Sequence, residues 1–203
     1  MLVEGDSPRV LVGRALGHGG ADRVLRLVTL ALEIAEINLS ETDAIAVSAG
    51  PGSLTGLRVG IGTARGLATG AGKRLLGVST LQAMAACLGA GLPVLALLDA
   101  GRGEVYGGLF RPGDPPIPLG EERVGPPEAF AGAMRGRRVR LMGNGARRHG
   151  GIFDSSAEPP AMPEPFLALG VARVAQALLL RSTPSGATPR YLRHGSAPVT
   201  FGE

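Results

Sequence analysis

An acid at the end of a buried strand is where α/β proteins often place catalysis, and Asp99 closes the apolar run Pro93–Leu98, PVLALL. Arg102, Glu104 and Tyr106 follow it closely. No second acid is spaced to share a metal ion with Asp99. The same residues also read as a turn capped by Asp99, with Glu104 and Tyr106 alternating along the next strand, EVYGGLF. A second candidate is the turn AGPGSLTG, in which Gly50, Gly52, Ser53, Thr55 and Gly56 lie between an apolar strand and a helix. Backbone N–H groups gathered at such a helix start welcome an anion, which makes these five residues a candidate phosphate cradle. The Walker pattern needs Lys and then Ser or Thr after its last glycine, whereas Leu57 and Arg58 follow Gly56. The alternative is a sharp strand-to-helix turn whose glycines serve packing.

Other chemistries lack their residues. His18, His149 and His194 are isolated, with no i, i+4 pair and no acid beside them, so no metal site is expected. No Gly-x-Ser-x-Gly elbow occurs, and Ser53 has no identifiable base. The single cysteine, Cys87, excludes an internal disulfide and sits in an alanine-rich helical segment as a small core residue would. No catalytic residue is assigned.

The elements that would position these groups are legible from periodicity. Asp43–Ser48 reads as a buried strand, and the segment after Ser53 as a helix that Ser53 or Thr55 can cap. On that helix Gly56, Gly60, Ala64 and Ala68 recur every four residues and share one face. Glycine inside a helix costs about 1 kcal/mol relative to alanine, so close approach of another backbone is expected there, either within the molecule or from a second one. Ala21–Ile37 is a helix with Val24, Leu27, Val28, Ala31, Ile34 and Ala35 on one apolar face, and Leu25, Leu30, Leu32 and Ile37 beyond it. A helix apolar on more than one side is either deeply buried or covered by a partner.

The remaining chain divides simply. LVEGDSPRVLVGRAL reads as two short strands around a turn at Gly5–Pro8. Lys73–Val78 is strand-like, Thr80–Leu88 a helix capped by Ser79, and Phe166–Leu180 a helix with Leu167, Val171, Val174 and Leu178 at helical spacing. Arg111–Pro127 and Asp154–Pro165, rich in proline, read as irregular links, and the tail from Ser182 as irregular. Apolar residues make up 44% of the chain, which argues against disorder. No run reaches the ~20 apolar residues of a membrane span, and no signal peptide is seen, so the expectation is a cytoplasmic chain without membrane contact. The net charge of +4 permits contact with nucleic acid, and Arg135, Arg137, Arg138, Arg140, Arg147, Arg148 and His149 are a candidate basic patch or simply solvated faces. Aromatic residues are only 3%, with no tryptophan, which gives little for a base-stacking platform.

GPGSLTGLRVGIGTARGLA, followed in order by GVSTLQAMA (Gly77–Ala85) and DAGRGEVYGGLF (Asp99–Phe110), resembles the TsaB (YeaZ) family, the partner subunit in bacterial synthesis of threonylcarbamoyl-adenosine beside the tRNA anticodon. GNGA (Gly143–Ala146) and PRYLR (Pro189–Arg193) are similar to later segments of that family. The resemblance implies two RNase-H-like α/β lobes of the actin, Hsp70 and sugar-kinase type, residues 1–98 and 99–203, with one late helix packing back on the first. The family opens with a central strand ending in Asp-Thr-Ser, so MLVEGDS is either a degenerate copy, with Asp6 and Ser7 matching, or the chain starts one strand late. The role implied is a non-catalytic scaffold, working with a TsaD-like catalytic subunit and a TsaE-like ATPase, with tRNA engaged through the complex. It would bind no cofactor itself, ATP being held by the partners, and could form a homodimer when alone. The expected contact surface is Val24, Leu25, Val28 and Leu32 on the first helix, with Gly56, Leu57, Gly60, Ala64 and Ala68 on the second. The alternatives are a stand-alone ATPase or small-molecule kinase using GPGSLTG, and a direct tRNA-binding module.

Overall fold

The computed structural model describes residues 1–5, 7–13, 21–153, 157–158, 167–181, 186–192 and 199–202. Asp6, His18, Arg193 and His194 lie outside these, so the sequence readings that involve them do too.

The chain opens with the hairpin read from the sequence, β1 (Leu2–Glu4) antiparallel to β2 (Ser7–Val10), turning where Gly5 has a φ of +54°. Helix α1 (Ala21–Ala35) follows and ends where Glu36 takes a φ of +56°. The Ile37 N–H then bonds back to the Leu32 carbonyl at 3.2 Å, a Schellman closure that stops the helix two residues before the expected end.

A βαβ unit comes next. β3 (Ala44–Gly50) runs parallel to β4 (Arg74–Ser79), and α2 (Leu54–Ala71) connects them. Side chains alternate across β3: Ile45 and Val47 pack with Leu57, Ile61, Ala64 and Ala68 of α2, while Ala44 and Ala46 face the opposite layer. Gly72 ends α2 at a φ of +64°. Among the described residues β1–β2 and β3–β4 are two separate pairs, and most β3 side chains are half-buried rather than buried as expected.

Ser79 caps α3 (Thr80–Ala86), its Oγ accepting from the Gln82 N–H at 3.2 Å. The second half is built on the hairpin of β5 (Val94–Gly101) and β6 (Glu104–Arg111), extended by β9 (Val139–Met142) and β10 (Ala157–Glu158) on one side. The stretch read as an irregular link contributes two edge strands on β6, β7 (Ile117–Pro118) and β8 (Arg123–Gly125). Helices α4 (Pro127–Ala133) and α5 (Asn144–His149) complete this half. Its core is Leu95, Leu97, Val105, Leu109, Phe130 and Leu141, all at most 2% exposed.

The final helix, α6 (Leu167–Leu180), packs back on the first half through Val171, Val174 and Ala175 against Leu76, Val78 and Ala83. Gly170 makes this possible, since a Cβ there would lie 1.8 Å from the Ala83 carbonyl oxygen. Meanwhile Leu81 and Met84 of α3 pack with Val94, Ala96 and Phe110, so one short helix joins the two cores. The tail is less irregular than expected: the Gly186 N–H bonds to the Leu75 carbonyl, the Gly77 N–H to the Gly186 carbonyl, and the Arg190 N–H to the Ala49 carbonyl at 2.7 Å. Among the described residues no helix is long and apolar enough to cross a membrane.

Candidate functional site

The strand–turn–helix that dominates the sequence is built by local rules. Ser53 caps α2, its Oγ accepting from the Gly56 N–H at 3.4 Å, and the Leu57 N–H bonds to the Ser53 carbonyl at 2.8 Å. Gly50 has a φ of +109°, and a Cβ there would sit 2.8 Å from the Arg190 carbonyl oxygen. That glycine therefore admits the tail, and the group brought against it is an oxygen, which an anion would avoid. Ser53, Thr55 and Gly56 stay exposed and Gly52 half-buried, with Leu57 folded beneath them into the core.

The nine residues expected at a contact surface do not share one face. Leu57, Ala64 and Ala68 are buried within the monomer against Leu75 and Ala187, so they anchor α2 instead of presenting it. Gly60 is half-buried, and a Cβ on it would come no closer than 3.9 Å to Val47, so no other backbone among the described residues crosses close to this glycine. The open small residues of α2 are others: Gly62, Gly66 and Gly70, four apart, where a Cβ would meet nothing within 4 Å. On α1, Ala31 and Ala35 are the buried positions, and Val24, Val28 and Leu32 are half-buried. Leu25 and Leu30 are each 41% exposed and Ile34 58% exposed, although Ile34 belongs to the apolar face read from periodicity.

Asp99 serves the β5–β6 turn. Its carboxylate accepts from the Gly101 N–H and from Arg148 Nη1, both at 2.8 Å, and its own N–H donates to Asn144 Oδ1 at 2.9 Å. The turn N–H, and after it Arg148, hold this carboxyl below its usual range. Arg102 sits at the turn with a φ of +55°, and Glu104 and Tyr106 alternate with buried Val105 along β6. The Cys87 thiol donates to the Ala83 carbonyl at 3.3 Å, and burial pushes it up from the usual thiol range. Among the described residues no three His, Cys, Asp or Glu side chains converge as a metal site requires.

Several residues of the candidate basic patch hold main chain. Arg137 reaches the Gly202 carbonyl at 2.9 Å, and Arg140 the carbonyls of Leu88, Gly89 and Leu92 at 3.1–3.4 Å. Arg9, Arg65 and Arg173 do the same elsewhere, donating at 2.9 Å to the carbonyls of Ala35, Ala187 and Ala86.

One buried acid escaped the sequence reading. The Glu122 side chain is 6% exposed, accepts from the Ser79 hydroxyl through Oε1, and lies 3.4 Å from Arg190 Nη2. Burial, the largest influence, raises its carboxyl above the usual range. Its setting joins residues far apart in the chain, and no local spacing marks it.

Comparison with known proteins agrees with this architecture. The family model described as "TsaD: tRNA N6-adenosine threonylcarbamoyltransferase" matches residues 19–121. Escherichia coli K12 "tRNA threonylcarbamoyladenosine biosynthesis protein TsaB" is 42% identical over 103 residues, 49% of this chain and 45% of that protein, so the match spans less than half of that curated relative. An uncharacterised Mycobacterium bovis protein is 30% identical over 179 residues, covering 87% of this chain and 76% of its own length. A Pseudomonas aeruginosa crystal structure titled as an uncharacterised protein with similarity to peptidase YEAZ superposes with a TM-score of 0.72 at 29% identity, covering 85% of this chain and 84% of that one. The fold is thus of the actin-like, RNase-H-like ATPase type. The motif on α2, the family model and the solved neighbour converge: the chain belongs to the TsaB/YeaZ family.

Proposed function

We propose that this chain is a non-catalytic scaffold in the synthesis of threonylcarbamoyl-adenosine on tRNA. It pairs with a TsaD-like catalytic subunit and is joined by a TsaE-like ATPase. The reading includes two lobes, residues 1–98 and 99–203, a cytoplasmic location, tRNA engaged through the complex, nucleotide held by the partners, and self-association when no partner is present. The E. coli relative is named as a biosynthesis protein for that modified nucleoside, which supports the pathway.

The observation that carries the pairing is the exposed apolar surface of α1, where Leu30 and Ile34, four residues apart, share one flank and Leu25 stands exposed on the opposite one. Neighbouring apolar side chains left in water, as Leu30 and Ile34 are, mark association surfaces. The bare glycines Gly62, Gly66 and Gly70 add a surface on α2 that a second helix can approach closely.

Ile34→Glu tests the reading. As a surface change it alters stability by less than about 0.5 kcal/mol. Charge in the centre of an apolar contact weakens association at least about tenfold, seen as loss of co-elution with the TsaD-like subunit. Undiminished co-elution by a folded Ile34→Glu chain refutes this use of α1.

A further inference from the structure

Between the start of α3 and the β7–β8 connection lies a cleft of about 360 Å³, lined by Gln82, Phe110, Pro118, Gly120, Glu122 and Arg190. Its polar end holds two opposite charges that are incompletely matched. Glu122 is more than nine-tenths buried and has one oxygen occupied by the Ser79 hydroxyl. Its other oxygen, Oε2, accepts no hydrogen bond from the described residues, although Arg190 Nη2 is 3.4 Å away in an unaligned ion pair. Buried polar oxygens in folded proteins nearly always have a hydrogen-bond partner, so an open one lining a cleft marks a place for a donor. Arg190 is anchored by its main-chain bond to Ala49 while its guanidinium stays half exposed. Gln82 is fixed by donating to the Pro116 carbonyl at 2.9 Å. Phe110 and Pro118 supply the apolar wall.

We infer that this cleft binds a small zwitterion of the α-amino-acid type, its ammonium donating to Glu122 Oε2, its carboxylate meeting Arg190, and its hydrocarbon part lying against Phe110 and Pro118. A hard dication fits poorly, because it needs several oxygens and the one open carboxylate oxygen has a cation 3.4 Å away. A plain anion meets Glu121 and Glu122 beside Arg190, and a plain amine competes with Arg190 for Glu122. The raised Glu122 carboxyl accords with an acid whose counter-charge is supplied from outside. The inference does not rest on the pairing role above, because the cleft belongs to the single chain.

The test uses the whole chain and three probes, L-norvaline and its des-carboxy and des-amino analogues n-butylamine and pentanoate, with calorimetry and amide chemical shifts at Gln82 and Gly120. Norvaline is expected to bind and to shift those amides, with each half-probe at least about tenfold weaker. Glu122→Gln lowers norvaline affinity by a similar factor, and Arg190→Met removes the advantage of norvaline over butylamine. Wild-type affinity falls on acidification, starting at milder acidity than an exposed glutamate would allow, which keeps the test valid if a variant misfolds. Butylamine binding as tightly as norvaline would make this a plain cation site and refute the inference. Equal or tighter pentanoate binding, unchanged affinity in Glu122→Gln, or no shift with any probe at tens of millimolar refutes it equally.

Discussion

Gly170 shows how much one missing Cβ can decide. The atom that a Cβ there would strike is a main-chain oxygen of α3, which cannot rotate aside as a side chain would. Gly170→Ala therefore forces α6 off α3, at an expected cost of about 3 kcal/mol, measurable by urea unfolding. Retention of full stability would mean that the helices do not cross at this residue. The sequence gives no warning, because Gly170 follows Leu169 inside an apolar helix and nothing local distinguishes it from Gly62 or Gly66. Gly56, Gly60, Ala64 and Ala68 recur every four residues, yet among the described residues the glycine whose added Cβ would come nearest another helix is Gly170, outside any stripe. Spacing tells which residues share a face, while the layer that covers the face is chosen by chain segments a hundred residues away. The capping of α2 by Ser53 and of α3 by Ser79 was legible because those bonds close within three residues.

The elements read from hydrophobic period survive with small changes at their ends. α1 stops early because Glu36 adopts a left-handed conformation, which no pattern of apolar residues encodes. β7 and β8 were hidden by the prolines around them; edge strands tolerate proline, since an unpaired N–H is no loss there. Helix ends also explain where the arginines go. Arg9 donates to the Ala35 carbonyl at the end of α1, and Arg173 to the Ala86 carbonyl at the end of α3, each at 2.9 Å. Carbonyls there have no partner within the helix, and a cation is also favoured by the helix dipole. Arg173→Ala should cost about 1 kcal/mol and increase amide exchange in the last turn of α3, with the hairpin amides unchanged. An unaltered exchange profile would deny the guanidinium this capping role.

At the scale of the whole molecule, Glu122 is a junction, since it meets Ser79 from the first half and Arg190 from the tail while belonging to the second. Its carboxyl is raised on folding, so between the unfolded and folded pKa values the native chain holds a proton that the unfolded chain has released. The contribution of this group to stability is therefore greatest in acid and declines as pH rises through the folded value. Glu122→Gln should match the natural chain in acid and exceed it in melting temperature at neutral pH, by a margin that grows over that interval. A margin that shrinks with pH would mean that the Arg190 pair outweighs burial. Asp99, lowered by its turn N–H and Arg148, behaves in the opposite sense and loses its contribution as pH falls. The positive net charge likewise reads differently once arginines are seen holding carbonyls of the chain itself.

The tail laid along β4 has a temporal meaning. Arg65 reaches Ala187 across 122 positions, and the Leu75 carbonyl waits for the Gly186 N–H. On the ribosome, the βαβ unit emerges long before the residues that close its edge. Such distant pairings are slow to form, and an open strand edge is vulnerable while it waits. The first half of a nascent chain thus stays unfinished until the tail segment has been made, a period in which a chaperone or an early-arriving partner can shield it.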